Sequence, residues 1–255
     1  LEKLVREQPV QGQVGIGHTR WATHGEPNMR NAHPHLGMTG DVVLVHNGIV
    51  ENYLALRDEL KTEGAVFRSE TDTEVIIHLI ERYLAAGNVL QEAVRKALNQ
   101  LRGAHGIVVM SRHEPDKMIA ARVGNAGGVV IGKGDQEMYI ASDLPAILEH
   151  TRDMVFLESR QMAVVRRSDL DVLTLDGEPV SYQIQHVSWD PVSAEKGEHR
   201  HFMHKEIHEQ VRSLTDTIGG RVDFEQGRIH FPTLEISERQ ARSINRMYIT
   251  ACGTA

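Results

Sequence analysis

The chain has 255 residues, 28 Lys+Arg against 35 Asp+Glu, a formal charge of −7 and 40% hydrophobic residues, which suits one large globular domain or one domain with part of another. A net negative chain with no basic run excludes a nucleic-acid binder, because phosphate neutralisation needs clustered Lys and Arg, and no apolar stretch approaches the length that crosses a bilayer. The single cysteine, Cys252, excludes an internal disulfide and fits a reducing, cytoplasmic setting.

In chain order, residues 1–8 read as the end of a helix stopped before Pro9. The run Val14-Gly15-Ile16-Gly17 predicts a strand over 13–18 that delivers His18-Thr19-Arg20-Trp21-Ala22-Thr23-His24-Gly25. Arg20 carries the strongest chemical signal there, since a planar guanidinium matches a carboxylate with two parallel charge-assisted bonds; by itself the octapeptide also reads as a strand end with a surface Arg. Residues 25–41 are loop. Within it His33 and His35 flank Pro34, with no Cys or acidic partner nearby, so they are expected to pack rather than to bind metal.

The apolar run 42–46 predicts a strand covered on both faces. It ends in Asn47-Gly48, where a side-chain amide and a backbone N–H can form an oxyanion hole. Asn-Gly is equally a hairpin turn. The residues after it do not read as a partner strand: Ile49, Tyr53, Leu56 and Leu60 have helical spacing and close at Gly64, which favours a site. Thr71 and Glu74 read as a capping box for a helix to about Ala86. Asp72, in its first turn, either answers the helix dipole or receives a substrate ammonium. Asn88 and Gln91 read as caps of a further helix with Leu90, Val94, Ala97, Leu98 and Leu101 on one side.

From 105 to 187 the period switches to strands, over 106–111, 118–122, 128–132, 138–141, 154–157, 161–166, 171–175 and 180–186, with a short helix at 143–149. Gly124 to Gly128 (GNAGG) opens no helix and reads as a tight turn rather than a phosphate cradle. Layered sheets flanked by helices, an α+β arrangement, are expected. Residues 188–198 read as a linker. Beyond it His204 and His208 lie one helical turn apart with His201 near. That spacing can hold a metal, but the His-Glu-x-x-His order is absent, so exposed imidazoles on a polar helix are expected and no metal site. A helix over 233–246 and a buried strand over 247–251 are expected before Cys252-Gly253-Thr254, a strand-end loop of the kind that receives phosphate.

Arg20, Asp72 and the Asn47-Gly48 corner are the parts needed to hold an amino acid and cleave its side-chain amide. No nucleophile accompanies them. The motifs HTRWATHG at 18–25, NAHPH at 31–35, VHNGIVEN at 45–52, SETDTEV at 69–75, QLRGAHG at 100–106, ASD at 141–143, RHFMHKEIHEQ at 200–210 and ACGT at 251–254 resemble the glutamine–fructose-6-phosphate amidotransferase family along the whole chain. The resemblance implies an N-terminal-nucleophile-type four-layer αββα sandwich over 1–187, a linker over 188–198, and the start of an α/β sugar-isomerase domain over 199–255.

It implies further that Arg20 binds the glutamine α-carboxylate and Asp72 its α-amine, with Asn47 and Gly48 as oxyanion hole. Thr23 and His24 fall on the loop that closes over glutamine, Trp21 gates ammonia passage, and Cys252, Gly253 and Thr254 open the fructose-6-phosphate site. No cofactor is implied, and a homodimer is. The family's N-terminal nucleophilic Cys and most of its isomerase domain have no counterpart here. The chain, which begins at Leu1 and ends at Ala255, is therefore expected to be an incomplete sandwich that neither hydrolyses glutamine nor makes glucosamine 6-phosphate by itself. Competing expectations are a non-catalytic amino-acid sensor, which binds glutamine where an incomplete fold does not, and another amidotransferase such as the phosphoribosylamine-forming one.

Overall fold

The computed structural model describes residues 2–9, 11–188, 197, 199–223, 225–229, 236–248 and 250. The chain divides into two units, residues 1–191 and 192–255.

In the first unit, short helix α1 (Glu2–Glu7) precedes a long irregular stretch. A six-stranded antiparallel sheet comes next, in spatial order β1 (His35–Leu36), β2 (Val42–Gly48), β3 (His105–Ser111), β4 (Lys117–Val123), β8 (Gln161–Arg166), β9 (Leu170–Thr174). A second antiparallel sheet runs β10 (Gln185–His186), β7 (Asp153–Phe156), β5 (Val130–Lys133), β6 (Met138–Ala141). Helices α2 (Tyr53–Thr62), α3 (Glu74–Ala85) and α4 (Leu90–Leu98) connect β2 to β3.

Alternation along the strands assigns the layers. In β4 and β8, Ile119, Ala121, Met162 and Val164 join Ile76, Ile77, Leu79, Ile80, Leu90 and Val94 of the helices in one core. The residues between them, Ala120, Ala163 and Val165, join Val129, Ile131, Val155 and Leu157 in a second core beneath the small sheet. A strand whose two faces meet two different apolar layers reads as a near-continuous hydrophobic run, which is the pattern of 161–166. Helix, large sheet and small sheet are thus stacked in sequence. On the far side of the small sheet Leu144, Ile147 and Leu148 are buried in and after a single 3₁₀ turn at Leu144–Ala146, where the sequence predicts a short helix.

Several local expectations fail for physical reasons. Residues 13–18 form no strand. Three glycines in six positions, 12, 15 and 17, weaken strand pairing, and no described strand lies alongside. The capping box at Thr71 is not formed. Thr73 precedes α3 in helical geometry with no side-chain cap. The Glu74 carboxylate instead takes the N–H groups of Arg68 and Ser69 and the Ser69 hydroxyl, each at 2.6 Å. Asn88 does not cap α4 either: its amide donates to the Tyr83 carbonyl, and the Glu114 carboxylate takes the N–H of Leu90 at 2.7 Å. Of the strand predicted over 180–186, Gln185–His186 pairs with β7, and Val180 gives its N–H to the Val172 carbonyl of β9 at 2.8 Å.

The second unit contains α5 (Phe202–Ile218), the hairpin β11 (Val222–Asp223) and β12 (Arg228–Ile229), and α6 (Glu238–Ser243). A reciprocal Ser237–Gln240 capping box starts α6. Met247 and Tyr248 are exposed and outside any strand, unlike the buried strand predicted there. Most of the predicted linker and all of Cys252, Gly253 and Thr254 lie outside the described residues.

Candidate functional site

The corner at the end of β2 is built from backbone geometry. Pairing puts Asn47 opposite Gly106 and Gly48 opposite His105. Gly48 has φ +131°, and a Cβ there would collide with the Ala104 carbonyl oxygen and lie 3.0 Å from His46 Nε2. Only glycine lets the chain leave the strand in this direction.

A ring of contacts closes around the corner. The Arg20 backbone N–H donates to His18 Nδ1 at 2.8 Å. That nitrogen is therefore the unprotonated one of a neutral imidazole, and Nε2 carries the proton. His18 Nε2 then donates to Asn47 Oδ1 at 2.8 Å. This fixes the amide: its oxygen faces His18 and its NH₂ is turned the other way. From Arg20 the ring continues through Nη2, which donates to the His24 carbonyl at 2.7 Å. His24 Nδ1 lies 3.8 Å from Asp72 Oδ1. Asp72 is buried, and its Oδ2 accepts the Val50 N–H at 2.7 Å, two residues past Gly48. The structure therefore brings Arg20, His24, Asp72, Asn47 and Gly48 together, as the sequence pattern requires.

The guanidinium is not an open fork. Nη2 also reaches the Gly25 carbonyl at 3.0 Å, and Nη1 donates to the Glu26 carbonyl at 3.0 Å. Nη2 is shared by both two-pronged faces of a guanidinium, so a bidentate carboxylate grip requires the carbonyls of 24 and 25 to let go. Arg20 itself sits at φ +53°, uncommon for a side-chain-bearing residue. The loop it clamps is tied on its other side by buried Asn31, whose amide bridges the Glu26 carbonyl and Glu70. Thr23 is exposed and its hydroxyl lies 3.3 Å from His24 Nδ1. Trp21 is 91% exposed.

Behind the corner lies a shell of imidazoles whose part in the site the sequence pattern does not reveal. His46 Nδ1 meets the Thr73 hydroxyl at 2.9 Å and its Nε2 meets His105 Nδ1 at 3.1 Å. His35 Nε2 meets the Thr71 hydroxyl at 3.0 Å. His33 packs between His18 and His35, ring centres 4.5 and 4.7 Å away, in line with the packed loop expected there. Burial, reinforced by His35, His18 and Arg20, pushes His33 down to about 3. Burial also lowers His35 and His105, and lowers His46 well below the ordinary histidine value with help from His105. The shell is therefore neutral at pH 7. Apart from the loop motif around 33–35, its one sequence signal is position: His46 directly before Asn47, and His105 in register with Gly48.

Residues 6–169 match the family described as "Glutamine amidotransferase domain". Over all 255 residues the chain is 46% identical to glutamine–fructose-6-phosphate aminotransferase (isomerizing) of Symbiobacterium thermophilum and 44% identical to that of Clostridium tetani. The chain spans 41% of the length of each of these relatives. A solved glutamine phosphoribosylpyrophosphate amidotransferase from B. subtilis superposes over 62% of this chain and 34% of its own, with a TM-score of 0.52 and 24% identity, a likeness of fold. The match of its first two thirds to that family, and the layered α+β fold that presents the corner, show that the chain belongs to the glutamine amidotransferase domain family.

Proposed function

We propose that the ring around Asn47-Gly48 holds glutamine. Asp72 Oδ1 receives the α-ammonium in place of its 3.8 Å approach to His24. Arg20 receives the α-carboxylate once the His24 and Gly25 carbonyls release its Nη2. The Asn47 NH₂ and the Gly48 N–H meet the side-chain amide oxygen, where negative charge develops as the amide is attacked. Thr23 and His24 close over the ligand, and Trp21, one residue from the carboxylate anchor, gates the passage of ammonia. The observation that carries this reading is the His18–Asn47 bond: by occupying the amide oxygen it commits the amide N–H groups to the other side, as an oxyanion hole needs.

In the whole protein this site would supply ammonia for converting fructose 6-phosphate to glucosamine 6-phosphate. The 46% and 44% identities to aminotransferases of that name support this. On the same reading 1–187 is the glutaminase domain, 188–198 a linker and 199–255 the start of a sugar-phosphate domain opened by Cys252, Gly253 and Thr254, in a cytoplasmic homodimer. The test is to express the full reading frame around this chain and supply glutamine with fructose 6-phosphate. Glucosamine 6-phosphate is the expected product. Amination of phosphoribosyl pyrophosphate instead would assign the chain to the other amidotransferase. The 255 residues alone, whose one thiol is Cys252, are expected to release no glutamate, and turnover by them would contradict the assignment of roles.

A further inference from the structure

We propose that Thr73, His46 and His105 act as positioning residues that fix the separation between Asp72 and the Asn47-Gly48 corner. The inference rests on the reading of the ring as a glutamine site and gives a task to the imidazoles behind it. Alternation along β2 sends Asn47 to one face and His46 and Gly48 to the other. On that second face His46 Nδ1 meets the Thr73 hydroxyl at 2.9 Å, and its Nε2 meets His105 Nδ1 at 3.1 Å. Thr73 directly follows Asp72, and His105 is the register partner of Gly48. The relay thus starts beside the carboxylate and ends beside the corner.

A second tie runs alongside it: Asp72 Oδ2 accepts the Val50 N–H at 2.7 Å. Residues 46 and 50, on either side of the corner, are thereby bound to the consecutive residues 73 and 72. One tie fixes a distance and leaves a hinge; two fix the angle as well. Asp72, Thr73, His46 and His105 are all buried. Apolar side chains of the same volume would fill this space, but hydrogen bonds are directional and set an orientation that packing alone does not. The two facing imidazole nitrogens share one proton, so donation runs in one direction along the relay, from Thr73 to His105 or the reverse. Both His46 nitrogens are engaged, and its ring cannot turn without breaking a bond. Gly48 makes room for that ring, because a Cβ at 48 would lie 3.0 Å from His46 Nε2. An amino acid anchored by Arg20 and Asp72 brings its side-chain amide to the corner only if acceptor and corner keep their distance. Loosening the relay leaves the head group bound and misplaces the amide, a loss felt in the transition state.

The protein of the full reading frame around this chain, assayed for glutamate release from glutamine, tests this. Thr73→Val and His105→Leu each remove one bond of the relay at nearly constant volume. Both are expected to lower kcat, counted per folded molecule by circular dichroism, by about 10–100-fold and to leave KM within about twofold of the parent. Thr73→Ser returns the hydroxyl, and His105→Asn puts an amide where Nδ1 stood; each should bring kcat back to within about threefold. Should His105→Leu fail to fold, the Thr73 pair decides. Parent-like kcat in Thr73→Val or His105→Leu, a risen KM with kcat retained, or losses that Ser and Asn do not rescue would overturn the relay alone. A parent that releases no glutamate would overturn the glutamine reading and the relay with it.

Discussion

Gly48→Ala is expected to lower the stability of the first unit by about 3–5 kcal/mol and to abolish glutamine binding. Two costs add. At φ +131° an L side chain is strained, by about 1–3 kcal/mol. The added Cβ also collides with the carbonyl oxygen of Ala104, the residue before β3, and crowds His46 Nε2, which His105 Nδ1 holds at 3.1 Å, and overpacking of this kind costs about 1–3 kcal/mol more. The strain cannot relax locally, because Gly48 is the last residue of β2 in register with His105. Moving it shifts Asn47, and with it the amide that His18 orients. Urea unfolding followed by circular dichroism checks the first effect; a loss below about 1 kcal/mol would mean that the corner is softer than its contacts imply.

Acid should unfold the first unit in two stages. His33, His35, His46 and His105 are held neutral by burial, with folded values below 6.5. The unfolded chain therefore binds more protons than the native one once pH drops below 6.5, and stability falls from there. For His33 the fall continues to about 3. Each such group contributes at most about 1.4 kcal/mol per pH unit; discounted for solvent screening at a half-buried ring, His33 alone accounts for about 2–3 kcal/mol between pH 7 and pH 4.

The second stage belongs to the carboxylates on α3. Burial raises Glu74, but His78, the N–H groups of Arg68 and Ser69, and the Ser69 hydroxyl outweigh it and bring it to about 2. Its stabilisation is complete above 4.5 and is lost as pH falls through about 2. Glu81 is raised by burial too, and lowered on balance by His78 and by the N–H groups of Met38 and Thr39. His78, between them at 3.6 and 3.7 Å, works oppositely. Burial pulls it down, the two glutamates outweigh burial, and its raised value adds stability below 6.5 that is lost at higher pH. Urea midpoints from pH 7.5 to 3 should therefore fall from about pH 6.5 downward. His33→Gln should flatten the limb above about 4.5, and Glu74→Gln the limb below it. A level profile from about pH 7 to 4.5 would contradict neutral burial of the histidines.

Much of this was written in the chain as period and punctuation. The strands at 138–141 and 161–166 fall where alternation put them, because each packs in a layer that admits one register. The corner was legible because Asn-Gly followed by helical spacing fits no hairpin. The ring as a whole was not, since it closes in part through backbone groups, the Arg20 N–H, the His24 carbonyl and the Val50 N–H, that carry no sequence signature. The caps of α3 and α4 misled for a related reason. Glu74 fits the local pattern of helix-start residues, yet its carboxylate takes the loop N–H groups of Arg68 and Ser69, and the Leu90 N–H at the start of α4 goes to Glu114 of the β3–β4 turn rather than to Asn88. The absent strand at 13–18 shows the converse: apolar residues alternating with glycine satisfy a period of two, but without an adjacent strand the pattern has nothing to pair with.

Calorimetric titration of L-glutamine into the protein of the full reading frame around this chain, and into its Asp72→Ala variant, tests the assignment of the ring most directly. Saturable binding near about 1 mM is expected for the parent, none for Asp72→Ala, and none for glutaramic acid, which keeps the carboxylate and amide but lacks the α-amine. Equal heats for the parent and Asp72→Ala, or binding of glutaramic acid as tight as that of glutamine, would contradict it.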